Sequence, residues 1–396
     1  MKLPVEYRRR EVLLAALALL GGCGGGVDSG GTGTGASSTY ANGPITGFGS
    51  IIVNGVRYDD GSANIEDDEG RVRSRDDLRL GMRTEVLASA ITVAGGVSSA
   101  TASSIRVHSE IVGPLESVDA ANALLVVFGQ RVAIVATTVF DSSLVGGILA
   151  LRPGDLLEVH GALDVAAGRY VASRIDRRSS APAAYKLRGA VAAFSLAAGT
   201  LTIGSLTIDW SAVPPADPST VLAPGRLVRI TLDTAPVAGV WRATALTSGQ
   251  PVQQDREVAE VEGRITAFTS PTAFVVNGLP VDARAASFPD GSAGLALGAE
   301  VEVRGSLRGG VLVANRVEVE DDDEEPERFE LSGRIDSVDA EAMRFVVRGV
   351  TVMWSAATRF DSSSPADIRV GRNVEVKGRL SADGLQIEAT SVHVES

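Results

Sequence analysis

A nine-residue phrase recurs five times along the chain at a nearly constant interval, and this period limits the fold more than any other feature. Its clearest copy is 370–378, where an apolar residue and glycine lead into valines that alternate with polar or charged residues. A fixed period of this kind is typical of tandem copies of one structural unit. The intervals are 73, 71, 73 and 73 residues, since the leading glycines are Gly81, Gly154, Gly225, Gly298 and Gly371.

Two further sets of residues keep the same order in every copy and therefore support the same register. One is an opening glycine followed by apolar/polar alternation. The other is a closing unit, in which an alanine is followed three residues later by an apolar residue. The opening glycines are Gly43, Gly113, Gly189, Gly263 and Gly333. The closing units are Ala102/Ile105, Ala172/Ile175, Ala243/Leu246, Ala314/Val317 and Ala389/Val392.

Each copy has the pattern of five β-strands. Asn54-Gly55, Asn277-Gly278 and Arg348-Gly349 separate the second strand from the third. Asn-Gly favours a two-residue hairpin because both turn positions need positive φ. A polar segment between the third and fourth strands is long enough for one helical turn. A turn that contains glycine connects the fourth strand to the fifth strand. This order predicts an all-β chain of five tandem OB-like barrels, each small and five-stranded.

Units of this size bury only about 60% of their unfolded surface, so contacts between neighbouring repeats are expected. We expect the barrels to follow one another as a rod or an arc. The predicted organisation is a signal peptide at 1–22, a Gly/Ser-rich tether at 23–42, β-barrel repeats 1 to 5 at 43–110, 111–180, 186–250, 258–319 and 329–396, and an acidic linker at 320–328.

The first residues have the pattern of an export signal. Lys2 and Arg8–Arg10 form a basic head, an apolar run occupies 12–20, and Leu20-Gly21-Gly22-Cys23 follows. A basic head, a short apolar core and small residues before a cleavage site are typical of a secretory signal peptide rather than a spanning helix. The last four residues resemble a bacterial lipobox, which implies lipidation of Cys23. The alternative is an ordinary buried cysteine in an N-terminal helix.

In that class of signals, Gly24 in place of aspartate after the cysteine implies an outer-membrane lipoprotein, facing the periplasm or the surface. The tether that follows lacks the apolar side chains needed for a core and is expected to be flexible. The formal net charge is −12; without the first 22 residues 33 basic and 47 acidic residues remain, a net charge of −14. An acidic surface repels phosphate backbones, so nucleic acid is not an expected partner.

The repeats resemble a domain-of-unknown-function family, numbered fifty-six sixty-six, that is found in exported bacterial lipoproteins. The resemblance covers 43–396 and is carried by Gly47–Val56, by the phrases Thr138–Asp141 and Thr358–Asp361, and by the Gly-x-x-Val-Glu-Val-x-Gly strand. The resemblance implies a fold and a location in the cell envelope, but no activity. The third copy departs most, with Ile203-Gly204 at the turn, Pro214, Pro215 and Pro218 after it, and Arg229 in place of the strand glutamate.

Acidic clusters are the first candidates for a site. The run from Glu318 to Glu327 is expected to be a solvated, self-repelling linker. Weak Ca²⁺ binding is the alternative, because hard cations take carboxylate oxygens. A second cluster, with the same expectation, comprises Asp59, Asp60 and Glu66–Glu69.

We expect neither a metal site nor a catalytic site, and no cofactor. His108, His160 and His393 lie in different repeats and do not occupy equivalent positions, whereas zinc needs three or four convergent ligands. No Gly-x-Ser-x-Gly motif or reactive thiol is available for nucleophilic catalysis. The strand glutamates share one outward position, which favours solubility or edge protection over chemistry; they are Glu158, Glu302 and Glu375.

Trp210 and Trp354 are the candidate ligand-binding residues, because a sugar can stack on an indole ring at a barrel face. Both follow the third strand of their repeats, and burial at the barrel end is the alternative. The sequence therefore predicts a non-enzymatic envelope lipoprotein, anchored in the membrane by lipid on Cys23. Its barrels would act as spacer, scaffold or binding modules for an envelope protein or glycan. The alternative is a carbohydrate- or peptide-binding receptor that uses a barrel face.

Overall fold

The computed structural model describes residues 39–249, 254–320, 329–361 and 363–395. The predicted signal peptide, Cys23, most of the predicted tether and residues 321–328 of the predicted acidic linker lie outside the described residues. Glu320, the first residue assigned to that linker, ends a strand. The described chain is almost entirely β-structure, which confirms the predicted fold class.

The strands form five sets that follow the sequence repeats. Repeat 1 contains β1 (Thr39–Pro44), β2 (Gly47–Phe48), β3 (Ile51–Val53), β4 (Val56–Asp59), β5 (Asn64–Asp67), β6 (Arg83–Ala88), β7 (Thr92–Ala94) and β8 (Val97–His108). Repeat 2 contains β9 (Ile111–Asp119), β10 (Leu124–Val127), β11 (Gln130–Phe140), β12 (Leu156–Asp164) and β13 (Arg169–Arg177). Repeat 3 contains β14 (Tyr185–Ala190), β15 (Ala193–Ser195), β16 (Thr200–Ile203), β17 (Leu206–Asp209), β18 (Leu227–Leu232) and β19 (Trp241–Ser248).

The last two repeats have the same organisation, and short helices occupy the connections. Repeat 4 contains β20 (Arg256–Ser270), β21 (Ala273–Val276), β22 (Leu279–Asp282), β23 (Glu300–Arg308) and β24 (Val311–Glu320). Repeat 5 contains β25 (Phe329–Asp339), β26 (Arg344–Val347), β27 (Val350–Met353), β28 (Arg359–Phe360), β29 (Asn373–Leu380) and β30 (Gln386–Val394). The helices are α1 (Pro218–Val221) and the 3₁₀ turns Arg75–Asp77, Ala120–Asn122, Gly147–Ala150 and Pro365–Asp367.

In every repeat the strands close into a barrel with the same neighbour order. In repeat 5, β25 pairs antiparallel with β26 and β29, β26 pairs with β27, β29 pairs with β30, and β27 runs parallel to β30. The order around the barrel is therefore first, second, third, fifth, fourth and back to first. Repeats 1 to 4 have the same pairings, with β2 and β15 continuing the first strands of repeats 1 and 3. This five-stranded Greek-key barrel is OB-like, as the sequence predicts.

The hairpin between the second and third strands has the predicted turn chemistry. Asn277 and Gly278 have φ values of 46° and 82°, and Arg348 and Gly349 have φ values of 51° and 76°. Two successive positive φ values define the turn that matches the twist of the flanking strands. Repeat 3 differs because Gly204 is the one residue of its turn with positive φ.

Replacement of Gly278 by valine is expected to destabilise the protein by about 1–3 kcal/mol, because a β-branched residue is strained at positive φ. Urea unfolding followed by circular dichroism measures the change. Gly278→Asn is the matched control, since asparagine tolerates the left-handed region and should lose much less stability. Equal destabilisation by the two substitutions would contradict the role assigned to the turn.

The opening glycines let this hairpin lie directly on the first strand. A Cβ atom at Gly113 would lie 2.7 Å from Cβ of Phe128, and one at Gly263 would lie 2.0 Å from Nδ2 of Asn277. In the space that Gly263 leaves open, Nδ2 of Asn277 donates to the carbonyl of Glu262 at 3.4 Å. The recurring glycine is therefore a packing requirement of barrel closure.

The Thr-x-Phe-Asp phrase binds the closing alanine unit of its own repeat. Oγ1 of Thr138 donates to the carbonyl of Ala172 at 2.6 Å, and the backbone N–H of Asp141 donates to Ile175 at 2.9 Å. In repeat 5, Oγ1 of Thr358 makes the same bond at 2.8 Å, to Ala389. Two motifs that are separate in the sequence thus form one contact between the third-strand region and the fifth strand.

The barrels do not follow one another as a rod or an arc, which corrects the expectation from sequence. Strand β1 pairs in parallel with β20 of repeat 4, and β2 pairs in parallel with β25 of repeat 5. Strand β9 of repeat 2 pairs with β14 of repeat 3. The five repeats belong to one compact unit. The reason is that part of the first strand of a repeat is left unpaired on one edge by its own barrel. A strand from another repeat pairs with that edge.

The predicted tether also ends earlier than expected. Residues Thr39–Asn42 belong to β1 and pair with β6 on one side and β20 on the other. Tyr40 is buried among the apolar side chains of repeat 4. Local composition could not predict this strand, because the segments that pair with it lie far along the chain.

Shared apolar cores explain why the repeats associate, including repeats 1 and 5, which are not adjacent in sequence. One continuous cluster joins repeats 1 and 5, for example through Phe48 and Phe329. A second cluster joins repeats 2 and 3, through residues such as Phe128 and Leu206. Small barrels that share a core bury more apolar surface than each barrel buries alone, which stabilises the assembly.

Candidate functional site

A cleft of about 400 Å³ lies where repeats 1, 2 and 3 meet. Its walls come from the loop after β5, from β12 and the end of repeat 2, and from the start of β14. Sites at domain interfaces with this volume are typical of small-molecule binding. The charged residues that line the cleft are Asp67, Asp68, Glu69, Arg71, Arg73, Asp77, Glu158, Arg178 and Lys186.

Ion pairs line the cleft, and those of Lys186 join repeat 3 to repeat 1. Nζ of Lys186 lies 2.7 Å from Oδ1 of Asp68 and 3.0 Å from Oε1 of Glu69, which links repeat 3 to repeat 1. Nη1 of Arg178 lies 2.6 Å from Oε2 of Glu158. The acidic loop of repeat 1 is therefore fixed by cations from a neighbouring barrel.

Two carboxyl groups of the cleft, Asp67 and Glu158, have a lowered pKa. Burial acts to raise the pKa of Asp67, but hydrogen bonds from the backbone and guanidinium of Arg71 and from the backbone of Glu69 outweigh burial and lower that pKa. Burial also acts to raise the pKa of Glu158, and the charges of His160 and Arg178 outweigh it. A lowered pKa suits these groups to ion pairing rather than to proton donation.

Beside the cleft, the buried Arg188 joins three repeats. Its Nη1 lies 3.1 Å from both carboxylate oxygens of Glu110, which precedes β9. Its Nε donates to the carbonyl of Gly249 at 3.0 Å, and its Nη2 donates to the carbonyl of Asn277 at 2.8 Å. Arg83 makes a similar link between repeats 1 and 4, donating to Oδ1 of Asn42 and to the carbonyl of Glu262.

The fourth-strand glutamates do not face solvent as a set. This corrects the expectation that their shared outward position serves solubility or edge protection. Glu158 lines the cleft, Glu302 is mostly buried beside Arg304, and Glu375 lies 2.9 Å from Nη2 of Arg57 in repeat 1. The outer face of each barrel is covered in part by another barrel, so an outward position here is a position in a junction.

The acidic cluster of repeat 1 is neutralised by arginines rather than arranged around a cation. Oδ1 of Asp60 lies 2.8 Å from Nη2 of Arg75, and Oε1 of Glu66 lies 2.6 Å from Nη2 of Arg106. Among the residues that the structure describes, no group of three or more His, Cys, Asp or Glu side chains is placed to hold a metal ion.

Two of the three histidines come together, although not as metal ligands. Nδ1 of His160 lies 2.8 Å from the carbonyl oxygen of His108. Burial lowers the pKa of His108, helped by the nearby charges of Arg229 and Arg83. His393 lies in repeat 5, where its Nδ1 is 2.7 Å from the carbonyl oxygen of Asp361.

The candidate ligand residues Trp210 and Trp354 are both buried, at 5% and 8% exposure. Trp210 belongs to the core that repeats 2 and 3 share, and Trp354 packs against Phe345 with ring centroids 5.8 Å apart. Neither presents an exposed ring on which a sugar could stack. The tryptophan that follows the third strand is therefore part of the buried interior of its barrel.

Sequence reasoning missed the residues that build the cleft and its surroundings. Lys186 and Arg188 occupy the first strand of repeat 3, and Glu110 immediately precedes the first strand of repeat 2. A usable signal was present, because ionisable residues beside the opening glycine are unexpected on a strand that other strands flank on both sides. Their oppositely charged partners lie in other repeats.

The fold and the cleft define a tandem OB-like barrel protein with a junctional cleft. The family model described as Domain of unknown function (DUF5666) matches residues 112–176, 262–318 and 332–393, which are repeats 2, 4 and 5. Three repeats therefore match this family in tandem, and the resemblance noted from the sequence is confirmed for these repeats. Repeats 1 and 3 lie outside the matched segments and share the barrel topology.

No curated protein matches the chain at a significant level. A solved structure from Drosophila, titled "drosophila Unr CSD456", matches 59% of this chain and 99% of its own chain, at 14% identity and a TM-score of 0.13. At that TM-score the likeness supports no conclusion about fold or function. No helix among the described residues combines the length and the apolar composition needed to cross a membrane.

Proposed function

We propose that this chain is a non-catalytic lipoprotein of the cell envelope, held at the outer membrane by lipid on Cys23. Its five barrels act together as a scaffold and binding module. The observation that carries the proposal is Leu20-Gly21-Gly22-Cys23 behind a basic head and a short apolar run. That order of segments is typical of an exported protein, and the four residues resemble the lipoprotein cleavage site.

The polar contacts of the barrels support a scaffold role. Many of the ionisable side chains in and near the cleft are engaged in contacts between or within repeats. Lys186 pairs with Asp68, and Arg188 pairs with Glu110. Such pairs fix the relative position of the barrels, which is what a module that presents a defined surface requires. The partner we propose is an envelope protein or glycan, and the acidic net charge argues against nucleic acid.

Substitution of Cys23 by serine is expected to abolish lipidation, because serine has no thiol to which the diacylglyceryl group can be attached. Cells that express the full chain are labelled with palmitate, and the protein is isolated and counted. Ser29→Ala, a small change in the tether, is the matched control and should keep full incorporation. Equal incorporation in Cys23→Ser and the unaltered chain would refute the lipid anchor.

A second function, that of a receptor for an envelope carbohydrate or peptide, is favoured by the cleft between repeats 1, 2 and 3. A glycan array probed with the full chain tests it. Binding that Ala183→Trp abolishes would support the receptor, because Ala183 lines the cleft. Binding that survives this substitution would place the ligand elsewhere.

A further inference from the structure

We propose that the cleft between repeats 1, 2 and 3 binds a small organic anion with an apolar body and a carboxylate, sulfonate or phosphate group. This inference rests on the proposed role of the chain as a binding module and gives that role a class of ligand. The cleft volume of about 400 Å³ falls within the range of small-molecule sites.

Part of the cleft wall is apolar and matches the body of such a ligand. Apolar side chains from repeats 1 and 2 meet the segment that connects repeats 2 and 3. Apolar contact drives binding, whereas a few placed polar groups orient the ligand. The apolar residues are Leu78, Met82, Val107, Val112, Pro182 and Ala183.

Two carboxylates of the cleft, Asp67 and Asp68, lie buried beneath more exposed cationic side chains, whereas Glu69 and Asp77 are exposed. The side chain of Asp67 is 7% exposed, whereas that of Arg71, its partner, is 55% exposed. Asp68 is 3% exposed beneath Lys186, and Arg73 and Arg178 are both partly exposed. A ligand that enters the cleft therefore meets arginine side chains before it meets Asp67 or Asp68.

The three arginines retain hydrogen-bond donors for a ligand. Arg71 uses Nε and Nη2 for Asp67 and Glu69, Arg73 uses Nη2 for Asp67, and Arg178 uses Nη1 for Glu158. A guanidinium group has five N–H donors in a planar fork that fits carboxylate and phosphate geometry.

Each carboxylate that lines the cleft already has a partner within the protein. Asp67 and Glu158 accept from arginines, and Asp77 accepts from the backbone of Ser74. Asp68 and Glu69 both pair with Lys186. A cationic ligand would have to displace these bonds and would approach the guanidinium groups of the same cleft. An anion adds to bonds that exist and displaces none, so the geometry selects an anion.

Calorimetric titration of the full chain with naphthalene-2-sulfonate tests the proposal. We expect saturable binding at one site. Arg73→Gln and Arg178→Gln should each raise the Kd roughly tenfold or more, because each removes a charge-assisted hydrogen bond to the sulfonate. Arg344→Gln is the matched control in repeat 5, where the guanidinium pairs with Asp339 outside the cleft, and it should bind as the unaltered chain does.

A neutral probe of the same shape, naphthalene-2-sulfonamide, separates charge recognition from loss of fold. The arginine variants should bind it as the unaltered chain does, whereas Ala183→Trp should exclude both probes. Equal affinity of the sulfonate for all variants, or no binding at millimolar concentration, would overturn the proposal. Palmitate labelling at Cys23 does not depend on the cleft, so a labelled chain that binds no anion would refute this inference alone.

Discussion

Exchange of Arg188 for methionine is expected to lower the free energy of unfolding by about 3–5 kcal/mol, because it leaves the Glu110 carboxylate buried without its partner. Glu110 is 1% exposed and Arg188 is 9% exposed, so water cannot replace the lost contact. The same exchange leaves the carbonyls of Gly249 and Asn277 without their guanidinium donor. Urea unfolding at pH 7, followed by circular dichroism, measures the change.

Two further variants separate the buried pair from a general effect of charge. The double variant Arg188→Met with Glu110→Leu should recover much of the loss, since apolar replacement of both partners of a buried pair is often neutral or stabilising. Arg379→Met breaks the exposed pair with Glu388 in repeat 5 and should cost less than about 1 kcal/mol. If Arg188→Met cost no more than Arg379→Met, this contact would not join repeats 3 and 4 to the segment that connects repeats 1 and 2.

The internal structure of each barrel was predictable because its signals are local. Asn277-Gly278 defines a turn through the conformations that two adjacent residues allow. The valines of β29 alternate with polar residues because one face of that strand lines the core. The nine-residue phrase and the opening glycine then fix the register of every copy without reference to distant residues.

The arrangement of the barrels was not predictable, because it depends on pairs far apart in sequence. Thr39 pairs with Val258, and Arg57 pairs with Glu375. A charged residue at an outward strand position has the same local pattern whether it faces water or another barrel. The glutamates of the fourth strand were therefore assigned to solvent, although they lie in junctions or are mostly buried.

Repeat 3 is the exception at the position of the fourth-strand glutamate. Repeat 3 has Arg229 where the other repeats have glutamate, and Arg229 and Glu85, the equivalent residue of repeat 1, line the same small cavity. The charge of Arg229 opposes the rise that burial causes in the pKa of Glu85. The departure of the third copy from the repeat pattern thus supplies the opposite charge where repeat 3 meets repeat 1.

Repeat 4 carries a row of carboxylates that makes stability depend on pH. Glu262, Glu302 and Glu318 lie directly opposite one another on β20, β23 and β24. Burial raises the pKa of Glu302 to about 7, against the opposing charge of Arg304 and with the support of Glu260 and Glu262. Directly opposed like charges destabilise a sheet, so the row resists full ionisation.

The direction of the pH dependence follows from that shift. The pKa of Glu302 is higher in the folded chain than its ordinary value of 4.5, so folding favours the protonated form. The contribution of Glu302 to stability is therefore fully present below pH 4.5 and is lost as the pH rises through 7. At about 1.4 kcal/mol for each pKa unit, the loss is at most about 3 kcal/mol at pH 8.

Glu302→Gln should therefore be more stable than the unaltered chain at pH 8, by up to about 3 kcal/mol, because glutamine keeps the shape and the acceptor oxygen without the charge. The two chains should converge below pH 4.5, where Glu302 becomes protonated in both states. Urea unfolding from below pH 4.5 up to pH 8.5 gives the difference at each pH. Glu341→Gln, an exposed position in repeat 5, is the control and should show no such trend. A difference that stays constant with pH, or one that favours the unaltered chain at pH 8, would show that Glu302 is not the group that titrates in this row.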